Sequence, residues 1–285
     1  MRTGFIGAGK VGFSLGKWFA SSGVPVTGYH SRHRESAREA ALFTGTRAFD
    51  TAEELVRESD AIFLTVPDGM IPTVYASLRG VELAEKQLCH CSGARTAREA
   101  FPGAESLCAG LYSIHPLFPI SSKYAAWREL PGAFFCLEGT GPHLDRWEDL
   151  LTGLGARTFR LPSARKAAYH AACAAASNLV CALAAVSLDL LAGCGLAEED
   201  ARAALAPLMR ANLEHILRDG PAEALTGPVE RGDGETVARH LACLPDGEAK
   251  ALYRAASLVL TGLAEKKHPD TDYAPLRELL GGSTI

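Results

Sequence analysis

The pattern of apolar and polar positions changes character near residue 162. Before it, short apolar runs alternate with amphipathic segments. Thr3–Ile6 reads as a buried strand and Phe13–Ser21 as a helix. Val24–Tyr29 reads as a second strand, Glu35–Phe43 as a helix and Ala48–Asp50 as a short strand. Thr51–Glu58 reads as a helix in which Thr51 is the N-cap and Glu54, three residues on, completes a capping-box pattern. Asp60–Val66 is apolar in the manner of a parallel strand covered on both faces. Gln87–Cys91, Leu107–Ile114, Phe134–Leu137 and Arg157–Leu161 read as further strands, with a helix over His143–Leu154. Strands alternating with helices predict an α/β fold around a doubly wound sheet.

From Ser163 the strand signals stop. One helix is expected from Ser163 to about Gly193, and another over Glu198–Leu217 with a kink at Pro207. Thr226–Asp233 reads as a polar turn, and Glu235–Leu244 and Glu248–Glu265 as helices. The last twenty residues read as a loosely attached tail with one short helix near Pro275–Leu280. The expected organisation is therefore an α/β domain over residues 1–161 and an all-α domain over 162–285.

The first strand runs straight into Gly7-Ala8-Gly9-Lys10-Val11-Gly12, and a helix follows. This is G-x-G-x-x-G in its meaningful context of strand, turn and helix. Gly7 permits the tight turn, Gly9 lets a pyrophosphate approach the backbone, and Gly12 lets helix and strand pack closely. The helix N-terminus offers free N–H groups and a partial positive charge to phosphates. The first domain is thus expected to be a Rossmann domain that binds a dinucleotide.

The end of the second strand bears on which dinucleotide. An NAD site places an acid there to accept from the ribose hydroxyls. Here the stretch is His30-Ser31-Arg32-His33-Arg34, with no acid before Glu35. Ser31 and Arg32 suit a 2′-phosphate, since the guanidinium fork matches phosphate oxygens. NADP(H) is therefore expected over NAD(H). Val66-Pro67-Asp68 ends a strand at the ligand-binding edge and is expected to border the cofactor.

Composition narrows the partners. The net charge is −4, which implies no general basic surface for nucleic acid. Residues 167–188 carry no Asp, Glu, Lys or Arg, yet are mostly alanine with Tyr169, His170, Ser177 and Asn178 among them. They read as a helix buried in protein rather than a membrane span. That helix is apolar over too much of its circumference for one chain to cover, so a homodimer through the helical domain is expected. Eight cysteines without a secretory signal point to reduced thiols in the cytoplasm, and no Cys/His spacing predicts a metal site.

Catalytic candidates lie near the domain junction. Lys166, His170, Ala174 and Asn178 fall on one i,i+4 ridge of the predicted long helix. His115 follows a strand and precedes Pro116, which biases it to an extended conformation aimed at the crevice. Ser92, at the end of another strand, is placed to meet substrate or nicotinamide. Each could instead be a satisfied core or turn residue.

These residues carry a resemblance. Phe5–Gly12, Ser31-Arg32, Val66-Pro67-Asp68, Cys91-Ser92-Gly93, His115-Pro116, the Tyr169-His170 to Ser177-Asn178 segment and Leu225–Asp233 together resemble the 6-phosphogluconate-dehydrogenase-like superfamily. More closely, the chain resembles its Rossmann branch with a DUF2520 helical domain, a set of NADP oxidoreductases without an agreed reaction. Hydroxyisobutyrate and ketopantoate reductase relatives carry a catalytic Lys followed four residues later by Asn. Alignment on Asn178 puts His170 in the lysine's place and Ala174 in the asparagine's, with Lys166 one turn earlier. His115-Pro116 is similar to the His-Pro of prephenate dehydrogenases. The resemblance implies an NADPH-dependent reductase of a small carbonyl or imine substrate, with His170 as proton donor. The alternative is a non-catalytic NADP(H)-binding sensor, whose polar groups would not converge on one space. In the dimer, Arg231 of the Thr226–Asp233 turn is expected to offer a substrate anion a bidentate contact.

Overall fold

The computed structural model describes residues 1–282. It divides into two compact units, Met1–Asn178 and the part from Leu179 onward. In the first unit the elements run β1 (Thr3–Ile6), α1 (Lys10–Ser21), β2 (Val26–His30), α2 (Arg34–Thr44), β3 (Arg47–Ala48), α3 (Ala52–Glu58) and β4 (Ala61–Leu64). They continue with α4 (Ile71–Ser77), β5 (Gln87–His90), α5 (Ala97–Ala100), β6 (Gly110–Leu117), β7 (Phe134–Thr140), α6 (Leu144–Gly153), β8 (Arg157–Arg160) and α7 (Lys166–Ala176).

The eight strands form one sheet in the order β3-β2-β1-β4-β5-β6-β7-β8. Every neighbouring pair is parallel except β6 and β7. Successive side chains leave a strand on opposite faces, and the core follows that alternation. Phe5, Tyr29 and Phe63 pack on one face with Phe13, Trp18 and Phe19 of α1 and Trp147 of α6. Ile6, Ile62, Leu64 and Leu88 pack on the other with residues of α3, α4 and α5. The Phe5 ring stacks on both Tyr29 and Phe63 at 5.3 Å, the offset geometry that aromatic pairs favour. The strand order reverses between β1 and β4, so a crevice opens at the C-terminal ends of these parallel strands.

Three local expectations are modified. Thr51 caps α3 by accepting from the Glu54 N–H, but the reciprocal capping box forms at Thr96 and Glu99. The predicted thirty-residue helix is broken at Ser177, whose backbone (φ −123°, ψ −73°) is not helical. A short 3-10 turn and α7 precede the break, and α8 (Asn178–Gly193) follows it. The division into units falls at this break rather than after the last strand, because α7 is tied to the sheet through buried Lys166 and through Tyr169. The stretch Ser163–Gly193 is long and apolar enough to cross a membrane by length and composition, though its first part is anchored in this way.

The second unit holds α9 (Glu198–Asp219), which runs on through Pro207, then α10 (Pro221–Ala224), α11 (Gly234–Cys243), α12 (Glu248–Lys267) and α13 (Ala274–Leu279). The C-terminal segment is not a loose tail over its described residues. Tyr273, Leu276 and Leu280 are buried against Val229, Val237 and Leu241, and Arg277 forms a two-point ion pair with Glu265. The sequence reading missed this because α13 contributes only a few apolar residues, too few to show a helical period.

Candidate functional site

The glycine turn is built as its spacing requires. Gly7 has φ +111°, and a Cβ there would lie 2.6 Å from the Thr65 carbonyl oxygen. A Cβ on Gly12 would lie 2.5 Å from the Gly7 carbonyl. Beside Gly9, by contrast, only Thr65 O comes within 4.0 Å, which leaves room for a ligand to approach the backbone. Gly9 caps α1 without a side-chain bond, so the first N–H groups of the helix lack intrahelical partners.

A cavity of about 620 Å³ opens here, within the ordinary range for cofactor sites. Gly7, Ala8, Gly9, Ser31, Arg32, Val66 and Pro67 line it, as do His33, Ser36 and Lys123. Met70 and Val74 form an apolar wall. Among the described residues no Asp or Glu lines the cavity, whereas Arg32 and Lys123 do. This fits a dinucleotide with a 2′-phosphate and disfavours one whose ribose hydroxyls need a carboxylate. Lys10, Val11 and Gly12 do not line the space; main-chain N–H groups are what they offer. Asp68 also turns away, and its carboxylate accepts from the Ser92 hydroxyl at 2.5 Å.

That bond links the cavity wall to the next loop along the sheet edge. Ser92 is buried, and its oxygen also accepts from the N–H groups of Ala94 and Arg95 at 3.2 and 3.0 Å. Gly93 follows, and two imidazoles meet over it. A Cβ on Gly93 would lie 2.8 Å from His115 Nε2 and closer still to His170 Nδ1. His115 comes from β6 and His170 from α7, with ring centroids 6.1 Å apart and planes nearly perpendicular. His115 Nδ1 pairs with the Tyr169 hydroxyl at 2.7 Å. His170 Nδ1 is buried and has no partner among the described residues.

Below them lies Lys166, 1% exposed, which donates to the Ser113 hydroxyl at 2.6 Å. Ser113 in turn donates to the Ser92 carbonyl. Burial lowers the Lys166 pKa, partly offset by nearby thiols and Glu138. Burial, reinforced by Lys166 and then His170, pushes His115 down to about 4, so its imidazole is neutral near pH 7. Burial raises the Tyr169 pKa, and its hydroxyl keeps its proton. Its bond to Nδ1 leaves Nε2 as the ring nitrogen of His115 that faces Gly93.

Of the candidate side chains, Ser92, His115, Lys166 and His170 are gathered here. Asn178 is not. The break at Ser177 takes it off the Lys166–His170 ridge, and it is exposed at the start of α8. Sequence reasoning missed the roles of Tyr169 and Ser113, which lie 54 and 53 residues from the partners they hold. It also missed Lys123, which belongs to no motif.

Residues 2–91 match a family model described as NADP oxidoreductase, coenzyme F420-dependent, and residues 133–259 match the domain of unknown function DUF2520. The chain is similar to a solved protein from Thermotoga maritima, with 28% identity over 93% of this chain and 99% of that one, at a TM-score of 0.74. It is similar to a provisional NADP oxidoreductase from Bacteroides fragilis, with 19% identity over 92% and 98% of the two chains, at 0.75. A reductive aminase from Aspergillus terreus, solved with NADPH and ethyl-5-oxohexanoate, shares 16% identity over 100% and 96%, at 0.65. The last two share the fold.

Proposed function

We propose that this chain, a member of the Rossmann-like DUF2520 family of NADP oxidoreductases, reduces a small carbonyl or imine compound. NADP(H) is the cofactor, and the carboxylate-free cavity with its glycine turn fits it. The observation that carries the catalytic reading is the buried, unpartnered Nδ1 of His170 facing Gly93 beside His115.

Gly7–Gly12, Ser31 and Arg32 bind and orient the cofactor, which supplies the hydride. His170 holds a proton for the oxygen or nitrogen of the substrate as its carbon is reduced. Near neutral pH an imidazole suits that task, and such acid–base help is typically worth ~10²–10⁴ in rate. His115, kept neutral and turned by Tyr169, presents its Nε2 to the same atom. Lys166 adds positive potential beneath the site, which favours a developing negative charge. The Asp68–Ser92 bond fixes the loop that carries Gly93. Convergence of these groups favours a reductase over a protein that only senses cofactor.

The reading extends to assembly. No residue of α8 is buried, and Leu179, Val180, Leu183 and Leu190 on it are exposed. Leu208, Leu213 and Leu217 are exposed on α9. A second copy of the chain covering these helices accounts for them, and in that dimer Arg231 of the Thr226–Asp233 turn would offer a substrate anion a bidentate contact. The turn is held firmly: Glu230 pairs with His268 at 2.7 Å, and Asp233 caps α11. Eight cysteines fit a reducing, cytoplasmic setting.

The test is NADPH oxidation screened against 2-oxo acids, aldehydes and cyclic imines. Turnover of at least one class is expected; NADPH binding with no turnover of any would favour the sensor.

A further inference from the structure

One charged residue of the cofactor cavity comes from far along the chain. Lys123 lies in the connection between β6 and β7, yet it lines the same space as Ser31, Arg32, His33 and Ser36. The connection is fastened to α1 and α2. Phe118, Ile120 and Trp127 pack against the core on that face. The Tyr124 ring meets Phe13 and Phe43 edge-on at 5.8 and 5.3 Å. Its hydroxyl donates to Glu39, one turn along α2 from Ser36.

Lys123 is held as firmly. Its Nζ donates to Glu39 Oε2 at 3.0 Å and lies 4.7 Å from the centre of the Phe13 ring. The hydrogen bonds from Tyr124 and Lys123 hold the Glu39 carboxyl below its ordinary pKa, so it stays charged. Glu39 occupies one of three ammonium donors. Held between Phe13 of α1 and Glu39 of α2, Lys123 therefore presents a fixed cation to the cavity. It lines that cavity together with Ser31, Arg32 and Ser36.

We propose that Lys123 binds the 2′-phosphate of NADP(H), so that the β6–β7 connection selects the cofactor together with the β2–α2 loop. A monoester phosphate carries up to two negative charges and several acceptor oxygens. An Arg alone leaves some of these to solvent, and Lys123 adds a charge-assisted bond. The position is prepaid by packing of Tyr124 and by Glu39, so little side-chain freedom is lost on binding.

The experiment measures equilibrium binding of four probes, NADPH, NADH, adenosine 2′,5′-bisphosphate and adenosine 5′-monophosphate, to the native protein and Lys123→Ala. The variant should bind NADPH and the bisphosphate about tenfold to a hundredfold more weakly, the usual worth of one charge-assisted bond. NADH and the monophosphate should stay within about twofold, as their phosphates are left untouched. Lys123→Met keeps an aliphatic stem over Phe13 and should behave alike, which separates charge from packing. Equal losses for NADPH and NADH would move the contact to the pyrophosphate and overturn the proposal. Unchanged binding of all four probes would overturn it as well.

Discussion

His115 and His170 meet edge to face over the α-carbon of Gly93, one from a strand and one from a helix. The His115 ring is fixed by its bond with the Tyr169 hydroxyl, while among the described residues His170 Nδ1 has no partner. The pair exists because position 93 has no side chain. Gly93→Ala would drive a methyl into both imidazoles. Misplacement on this scale typically costs about 10²-fold in rate. Turnover should fall accordingly while NADPH affinity stays nearly unchanged. Steady-state kinetics with titration of NADPH checks this, and unaltered turnover would count against the pair.

Cofactor choice rests first on Arg32. Arg32→Ala should erase most of the preference for NADPH over NADH, with the loss confined to the phosphorylated cofactor. Titration of both cofactors reads it directly. Equal affinities in the native protein would contradict the assignment.

Acid should destabilise the protein through two histidines. Burial pushes His90 down to about 3 and His115 to about 4, from an ordinary 6.5. Their contribution is intact above pH 6.5, where folded and unfolded chains alike are neutral. As pH falls below that, the unfolded chain takes up protons that the folded one refuses. Two such groups give a loss of up to about 2.7 kcal/mol per pH unit. His90→Gln keeps an acceptor for the Ser92 N–H and cannot titrate. Denaturant melts between pH 7 and 5 should show about half the native slope for this variant. Parallel slopes would contradict the account.

The exposed leucines of α8 and α9 lead to an assembly prediction. Sedimentation at micromolar concentration should give a species of twice 30.2 kDa. Leu183→Glu together with Leu213→Glu should shift it to the single-chain mass. A native protein that sediments as one chain would refute the dimer.

What the sequence disclosed depended on how local each signal was. The glycine turn and Ser31-Arg32 are short-range patterns, and each lies where its neighbours in sequence put it; His115, read as following a strand, lies inside β6, paired with Cys136 of β7. The alternation that builds the sheet was likewise visible, because parallel strands buried on both faces stand out as apolar runs. The break at Ser177 was not, since no Gly or Pro marks it in an alanine-rich stretch, and with it went the expected ridge to Asn178. Tyr169 on His115, Lys166 on Ser113 and Lys123 in the cofactor cavity are meetings of distant segments, which no spacing rule records. Among the described residues the docked C-terminal helix was hidden for a related reason. Its few apolar residues gain meaning only against Val229 and Leu241.

The central claim is that His170 is the proton donor. Once a substrate is in hand, the decisive measurement is turnover of His170→Ala per folded molecule, with NADPH affinity measured on the same preparation. The account predicts a fall of at least ~10²-fold with affinity nearly unchanged, the loss expected when acid–base help is removed. A variant that melts at lower temperature yet turns over at the native rate would contradict it, and would move the donor's role to His115.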